Sequence, residues 1–145
     1  MNTKYIIIVL AEPYSVFSEV VGKYFSNKKK SKKKIIIIGN IKLLRDQLRL
    51  LKYKIELKEI NDISHSDFNK INIINIDFKY KKIFTKISSK SNEYIENSFK
   101  KSLKIILQKP KNFILINGPI SKKHFFKKKY LGLTEYLSKK TKSKN

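Results

Sequence analysis

Two short stretches carry residue types able to do chemistry. Residues 10–15 read LAEPYS and residues 117–122 read NGPISK. Each follows an apolar run and precedes a helical pattern. Each therefore sets a turn beside a helix start, where free backbone N–H groups and the helix dipole favour an anion. Lys122 adds a positive charge to the second turn, and a phosphate-bearing substrate would suit that corner. The alternative is a tight turn at Gly118-Pro119 with one more surface lysine beside it. Glu12 stands where a carboxylate orients either a substrate or a backbone amide. Ser15, Ser18 and Ser121 are candidate hydroxyls, but no Ser-His-Asp order emerges, and capping is the role expected of them. His65 and His124 are the only histidines; neither has metal-ligand spacing to a second His or a carboxylate, and both read as surface or loop residues. Gly22, Gly39, Gly118 and Gly132 lie too far apart for a dinucleotide fingerprint or a phosphate-binding loop. The absence of cysteine excludes disulfides, zinc-finger spacing and a thiol nucleophile, and fits a reducing compartment.

The elements that must position these residues follow from the apolar pattern. Residues 5–10 form a β-branched run that suits a strand buried on both faces, broken at Glu12-Pro13. Val16, Phe17, Val20, Val21 and Tyr24 recur at helical spacing, and 27–34 is a polar connector. Residues 35–38 are a second buried strand, closed by Gly39-Asn40, and 41–51 reads as a helix. Residues 54–60 alternate as a half-exposed strand does, a loop follows, and 71–78 is another strand. A helix starts after Ser91, its expected cap, with apolar residues at 94, 95, 99, 103, 106 and 107; Lys109-Pro110 ends it. Residues 113–116 are the next buried strand. Ser121 caps a short helix through Phe126, and a last helix begins near Thr134. Strands alternating with helices predict an α/β fold with a largely parallel sheet, as a single unit over 1–145 with neither repeat nor domain boundary.

A hydrophobic share of 41% in 145 residues is enough to bury a core. The formal charge of +23 invites a nucleic-acid reading, yet Arg45 and Arg49 are the only arginines, and arginine is the usual reader of base edges. Lys, Ile and Asn together also mark an AT-rich genome. We read the charge as codon usage on a solvated surface, with a basic nucleic-acid-binding α/β module as the alternative. No run approaches the roughly 18 apolar residues of a membrane helix, and Glu12-Pro13 directly after the first run argues against a signal peptide. A cytoplasmic protein is expected.

The segment LINGPISKKHFFKKKYLGLTEYLSKKT resembles the TGPxxK…GHTExLA segment of the 4-hydroxythreonine-4-phosphate dehydrogenase family of pyridoxal phosphate biosynthesis. Gly118, Pro119 and Lys122 match its first half, and Gly132, Thr134, Glu135 and Leu137 its second, at the right spacing. IIIVLAEPYSVFSEVV is similar to the family's opening ITPGEPAGIGPE, with Glu12, Pro13 and Glu19 in register, and the stretches between are similar too. The resemblance implies a three-layer α/β/α fold of the isocitrate/isopropylmalate dehydrogenase type, incomplete in this chain. It implies a homodimer with its active site at the subunit interface and a phosphorylated small-molecule substrate. The implied reaction is NAD-dependent oxidation and decarboxylation of 4-phosphohydroxythreonine, with a divalent metal (zinc, magnesium or cobalt) held by histidines. On the resemblance, Thr134 contacts the substrate, with Lys122 and Gly118 beside its phosphate, while no catalytic or metal residue is assigned here. Leu133 departs from the pattern: it stands where the family has a substrate-binding His and can neither hydrogen-bond nor carry charge. Ala11, Tyr14, Ser15 and Phe17 replace smaller or more flexible residues of the family's opening. The family's metal-binding histidines and most cofactor contacts lie beyond the Thr-Glu helix. The chain is therefore expected to be the N-terminal part of a longer enzyme, poorly stable and inactive alone.

Overall fold

The computed structural model describes residues 3–27 and 31–142, so part of the predicted connector 27–34 lies outside the described residues. Five parallel strands form one sheet in the order β3-β4-β2-β1-β5. They are β1 (Tyr5–Val9), β2 (Lys34–Gly39), β3 (Leu57–Glu59), β4 (Ile71–Asn75) and β5 (Phe113–Asn117). β1 lies between β2 and β5, with Tyr5 in register with both Lys34 and Phe113. The isoleucine runs of β1 and β2 are what a parallel strand covered on both faces requires.

Helices α1 (Phe17–Ser26) and α2 (Ile41–Leu50) cover one face. Their core joins Val21, Leu44 and Leu48 to Ile8, Ile35, Ile37 and Ile73. Helices α3 (Asn92–Ile106) and α4 (Leu133–Thr141) cover the other, where Ile7, Val9, Ile36 and Ile38 meet Tyr94, Ile95, Phe99 and Tyr136. The result is the predicted three-layer α/β/α arrangement with a parallel sheet. Among the described residues, no helix is long and apolar enough to cross a membrane.

Several expectations need correction. The third strand is confined to Leu57–Glu59, and the fourth ends at Asn75. Phe78 leaves the sheet to pack on Tyr94, with ring centroids 4.8 Å apart. Ser91 does not cap α3 with its side chain; Ser88 instead accepts from the Lys90 amide and caps the 3-10 turn Ser89–Ser91 ahead of the helix. Ser18 sits inside α1, buried, with its hydroxyl unpartnered, so it is no cap either. Ser121 does cap, accepting from the His124 amide; Ser15 accepts from the Phe17 amide but stands one residue before the N-cap Val16, so α1 keeps no side-chain cap.

The apolar spacing also misplaces two helix faces. α1 turns Val16, Val20 and Tyr24 to solvent and buries Ser18, Val21 and Gly22. Gly22 lets α1 lie against Tyr53, since a Cβ there would come within 2.3 Å of the ring. α3 likewise buries Ser98 and Ser102, whose hydroxyls donate to the carbonyls of Tyr94 and Phe99, and leaves Leu107 exposed. A small residue on the sheet side brings the helix close to the strands, a choice that hydrophobic periodicity does not register.

Candidate functional site

The two chemistry-bearing loops leave the carboxyl ends of adjacent strands, β1 and β5, where open α/β sheets place their ligands. They are tied to each other along the backbone. The Gly118 amide donates to the Val9 carbonyl at 2.8 Å, and the Glu12 amide to the Pro119 carbonyl at 3.1 Å. The contact is close enough to demand glycine at 118. A Cβ there would lie 2.3 Å from the Leu10 carbonyl oxygen and 2.7 Å from Phe17 Cδ1. On the opposite side of the contact, Ala11 is fully buried at φ 58°, in the left-handed region that costs an L-residue about 1–2 kcal/mol. The resembled family places glycine at this position.

Glu12 is buried behind the turn and accepts from the Tyr14 amide at 3.2 Å. Burial pushes its carboxyl pKa up, partly offset by that hydrogen bond. Gln47 of α2 donates to the Pro13 carbonyl at 2.7 Å and to the Ile83 carbonyl at 3.1 Å, clamping the first loop to the β4–α3 connection. Phe78 of that connection packs against Tyr14, Tyr80 and Tyr94. The Tyr94 hydroxyl accepts from the Asn40 amide, and Tyr80 donates to Asp46 at 2.5 Å, its own pKa pushed up to about 12 mainly by desolvation. The sequence reading missed this third loop. Its only signal is the aromatic spacing of Phe78 and Tyr80, which by itself carries no chemistry.

The predicted site residues part company. Gly118 is buried at the junction of the two loops. Lys122 is exposed at the start of a one-turn π-helix, Lys122–Phe126, which Asn92 fastens to the start of α3 by donating to the His124 carbonyl. Thr134 is exposed in the first turn of α4, whose N-cap Gly132 offers no side-chain cap. Leu133 packs against the core cluster containing Phe126 and Tyr136. Among the described residues, no hydrogen bond joins Thr134 to Gly118 or Lys122. Glu135 accepts from the Leu131 amide at 2.6 Å and pairs with Lys139 at 3.2 Å, fixing the turn into α4.

A divalent metal does not fit the residues present. His65 is exposed on the far 3-10 turn, His124 lies in the π-helix, and among the described residues no three His, Asp or Glu side chains converge. A dinucleotide finds no glycine-rich turn either.

Compared by sequence, no curated protein matches the chain. Solved structures do. A 4-hydroxythreonine-4-phosphate dehydrogenase from Burkholderia phymatum superposes with TM-score 0.79 at 21% identity, over 100% of this chain and 46% of that one. A putative one from Salmonella typhimurium gives 0.83 at 19%, over 99% and 46%. The Klebsiella pneumoniae enzyme gives 0.78 at 17%, over 97% and 45%. At these identities the likeness establishes the fold, and the chain spans a little under half the length of each structure. The sequence itself goes further: residues 31–145 match the family model described as pyridoxal phosphate biosynthetic protein PdxA, and the chain belongs to that family.

Proposed function

We propose that the chain forms the substrate-facing edge of an NAD-dependent dehydrogenase that oxidises and decarboxylates 4-phosphohydroxythreonine on the way to pyridoxal 5′-phosphate. One observation carries the reading: in a PdxA-family chain, the Glu12 and Gly118 loops are locked together at the carboxyl edge of the sheet, beside an uncapped helix start. In this reading Lys122 and first-turn amides take the phosphate, an anion on free N–H donors. The Thr134 hydroxyl donates to the substrate body. Leu133, turned into the core, gives up the contact its position makes elsewhere in the family, so we propose a shifted substrate preference. Neither the metal nor the nicotinamide fits the residues described, so no step is assigned to them here. The isolated chain is expected to bind the substrate without oxidising it. A homodimer with a shared site, in the cytoplasm, goes with this reading.

Titration calorimetry of the 145-residue chain with 4-phosphohydroxythreonine tests the proposal. Binding that weakens in both Thr134→Val and Lys122→Gln supports it; binding indifferent to both overturns it. NADH formed by the chain alone would end the expectation of inactivity. DNA affinity that falls steeply with salt, at the same sites, would favour the nucleic-acid alternative.

A further inference from the structure

The β4–α3 connection encloses a cleft of about 340 Å³ that the dehydrogenase reading does not use. Lys79, Lys81, Lys82 and Lys90 line it, together with Tyr14 and Ser91, and no carboxylate does. None of the four lysines makes an ion pair among the described residues. At the floor of the cleft begins α3, a 15-residue helix entered through the 3-10 turn Ser89–Ser91, where Ser88 accepts from the Lys90 amide and the Ser89 carbonyl from the Asn92 amide. Ser91, at that N-cap, is 1% exposed and its hydroxyl has no hydrogen-bond partner. A buried hydroxyl without a partner is costly unless something meets it. Here the free donor, the positive helix end and four cations converge on one concavity. The carboxylates around it stand outside its lining: Glu12 lies behind Tyr14 and accepts from its amide, Asp46 is engaged by Tyr80, and Asp77 and Glu93 border the adjoining groove.

We propose that this cleft binds the phosphate group of a small phosphorylated molecule, with the Ser91 hydroxyl as donor, the positive end of α3 favouring the anion, and Lys82 and Lys90 among the neutralising charges. The combination separates it from the general lysine excess of the surface; the Ser18 hydroxyl, equally unpartnered, lines a cavity that no lysine lines. The cleft shares Tyr14 with the Glu12 loop, so it opens on the same edge of the sheet, but it does not depend on the dehydrogenase reading.

The test uses the full 145-residue chain and inorganic phosphate, followed by phosphorus NMR titration and calorimetry at fixed ionic strength. Ser91→Ala should weaken phosphate binding about tenfold while the melting temperature holds or rises, because it removes a buried hydroxyl that has no partner. Lys90→Gln should weaken binding several-fold. Lys104→Gln, an equal charge change on the exposed side of α3, should leave it nearly unchanged. Unaltered binding in Ser91→Ala, or equal losses in Lys90→Gln and Lys104→Gln, would overturn the proposal in favour of diffuse surface charge. A competition arm identifies the source. Displacement of phosphate by 4-phosphohydroxythreonine assigns the cleft to an organic ester, and persistence of bound phosphate assigns it to the free ion; both uphold the phosphate site.

Discussion

Replacing Gly118 by alanine tests the loop junction directly. The added Cβ would sit 2.3 Å from a backbone carbonyl oxygen, that of Leu10, and 2.7 Å from the Phe17 ring. A flexible side chain could step aside, but Leu10 cannot, because its amide is held by the Ile38 carbonyl at 3.1 Å and Gly118 itself by Val9 at 2.8 Å. Overpacking of a tight contact costs about 1–3 kcal/mol, and a backbone clash belongs at the upper end. For a chain of this length each kcal/mol moves the melting temperature by roughly 3 °C. Gly118→Ala should therefore melt roughly 6–9 °C lower by circular dichroism. Gly132→Ala is the matched control. No atom lies within 4 Å of its Cβ position, and its φ of −177° is ordinary extended backbone. Its cost should stay under about 1 kcal/mol, the difference between glycine and alanine as an N-cap. Two melting temperatures within about 2 °C of each other would refute the claim that close approach, rather than turn formation, fixes glycine at 118.

Ala11→Gly should stabilise the protein by about 0.5–1 kcal/mol: it relieves the left-handed backbone and gives back part of the gain to a looser unfolded chain. A urea midpoint raised at constant slope would establish it. Glu12, with its folded pKa raised by burial, favours folding most below its unfolded pKa and loses that contribution as pH rises through the folded value. Glu12→Gln should thus melt higher than wild type at pH 7 and equal to it near pH 4; a gap that widens toward acid would contradict this. Glu96 has the opposite sign, its pKa lowered chiefly by the hydrogen bond from Lys140 that ties α3 to α4 at 2.9 Å. Its contribution is present above the unfolded pKa and disappears as pH falls. Lys140→Met should cost under about 1 kcal/mol in dilute buffer and almost nothing in 1 M salt, measured by urea denaturation.

The parallel sheet was readable because strands covered on both faces must be continuous apolar runs, and IIIV and KIIIIG have few other uses. FILIN was read as buried for the same reason, but β5 is an edge strand that leaves Ile114 and Ile116 exposed. The family resemblance was readable for a related reason: Gly118, Pro119, Lys122, Thr134 and Glu135 sit at fixed offsets in a turn and at two helix starts, where few residue types serve. Two kinds of information were hidden. One is the orientation of helices whose inward residues are small, since Ser98, Ser102 and Gly22, the last against Tyr53, look polar or neutral in sequence yet sit on the buried faces. The other is anything made by loops meeting across the sheet edge. Gln47 bridging Pro13 to Ile83 depends on segments more than thirty residues apart, and the lysine-lined cleft over Ser91 depends on how one irregular connection folds back against Tyr14.

The position of β1 also matters for synthesis of the chain. It is an interior strand, yet made before the other four, and its partner β5 lies more than a hundred residues downstream. Synthesis at about 5–20 residues per second leaves one edge of YIIIV unpaired for roughly 5–20 s as the chain emerges. During that interval the most apolar stretch of the protein is an open template for another nascent copy. The flanking Lys4 and the Glu12-Pro13 break are then what confine it, a short exposed strand between a charge and a residue that cannot extend the pairing.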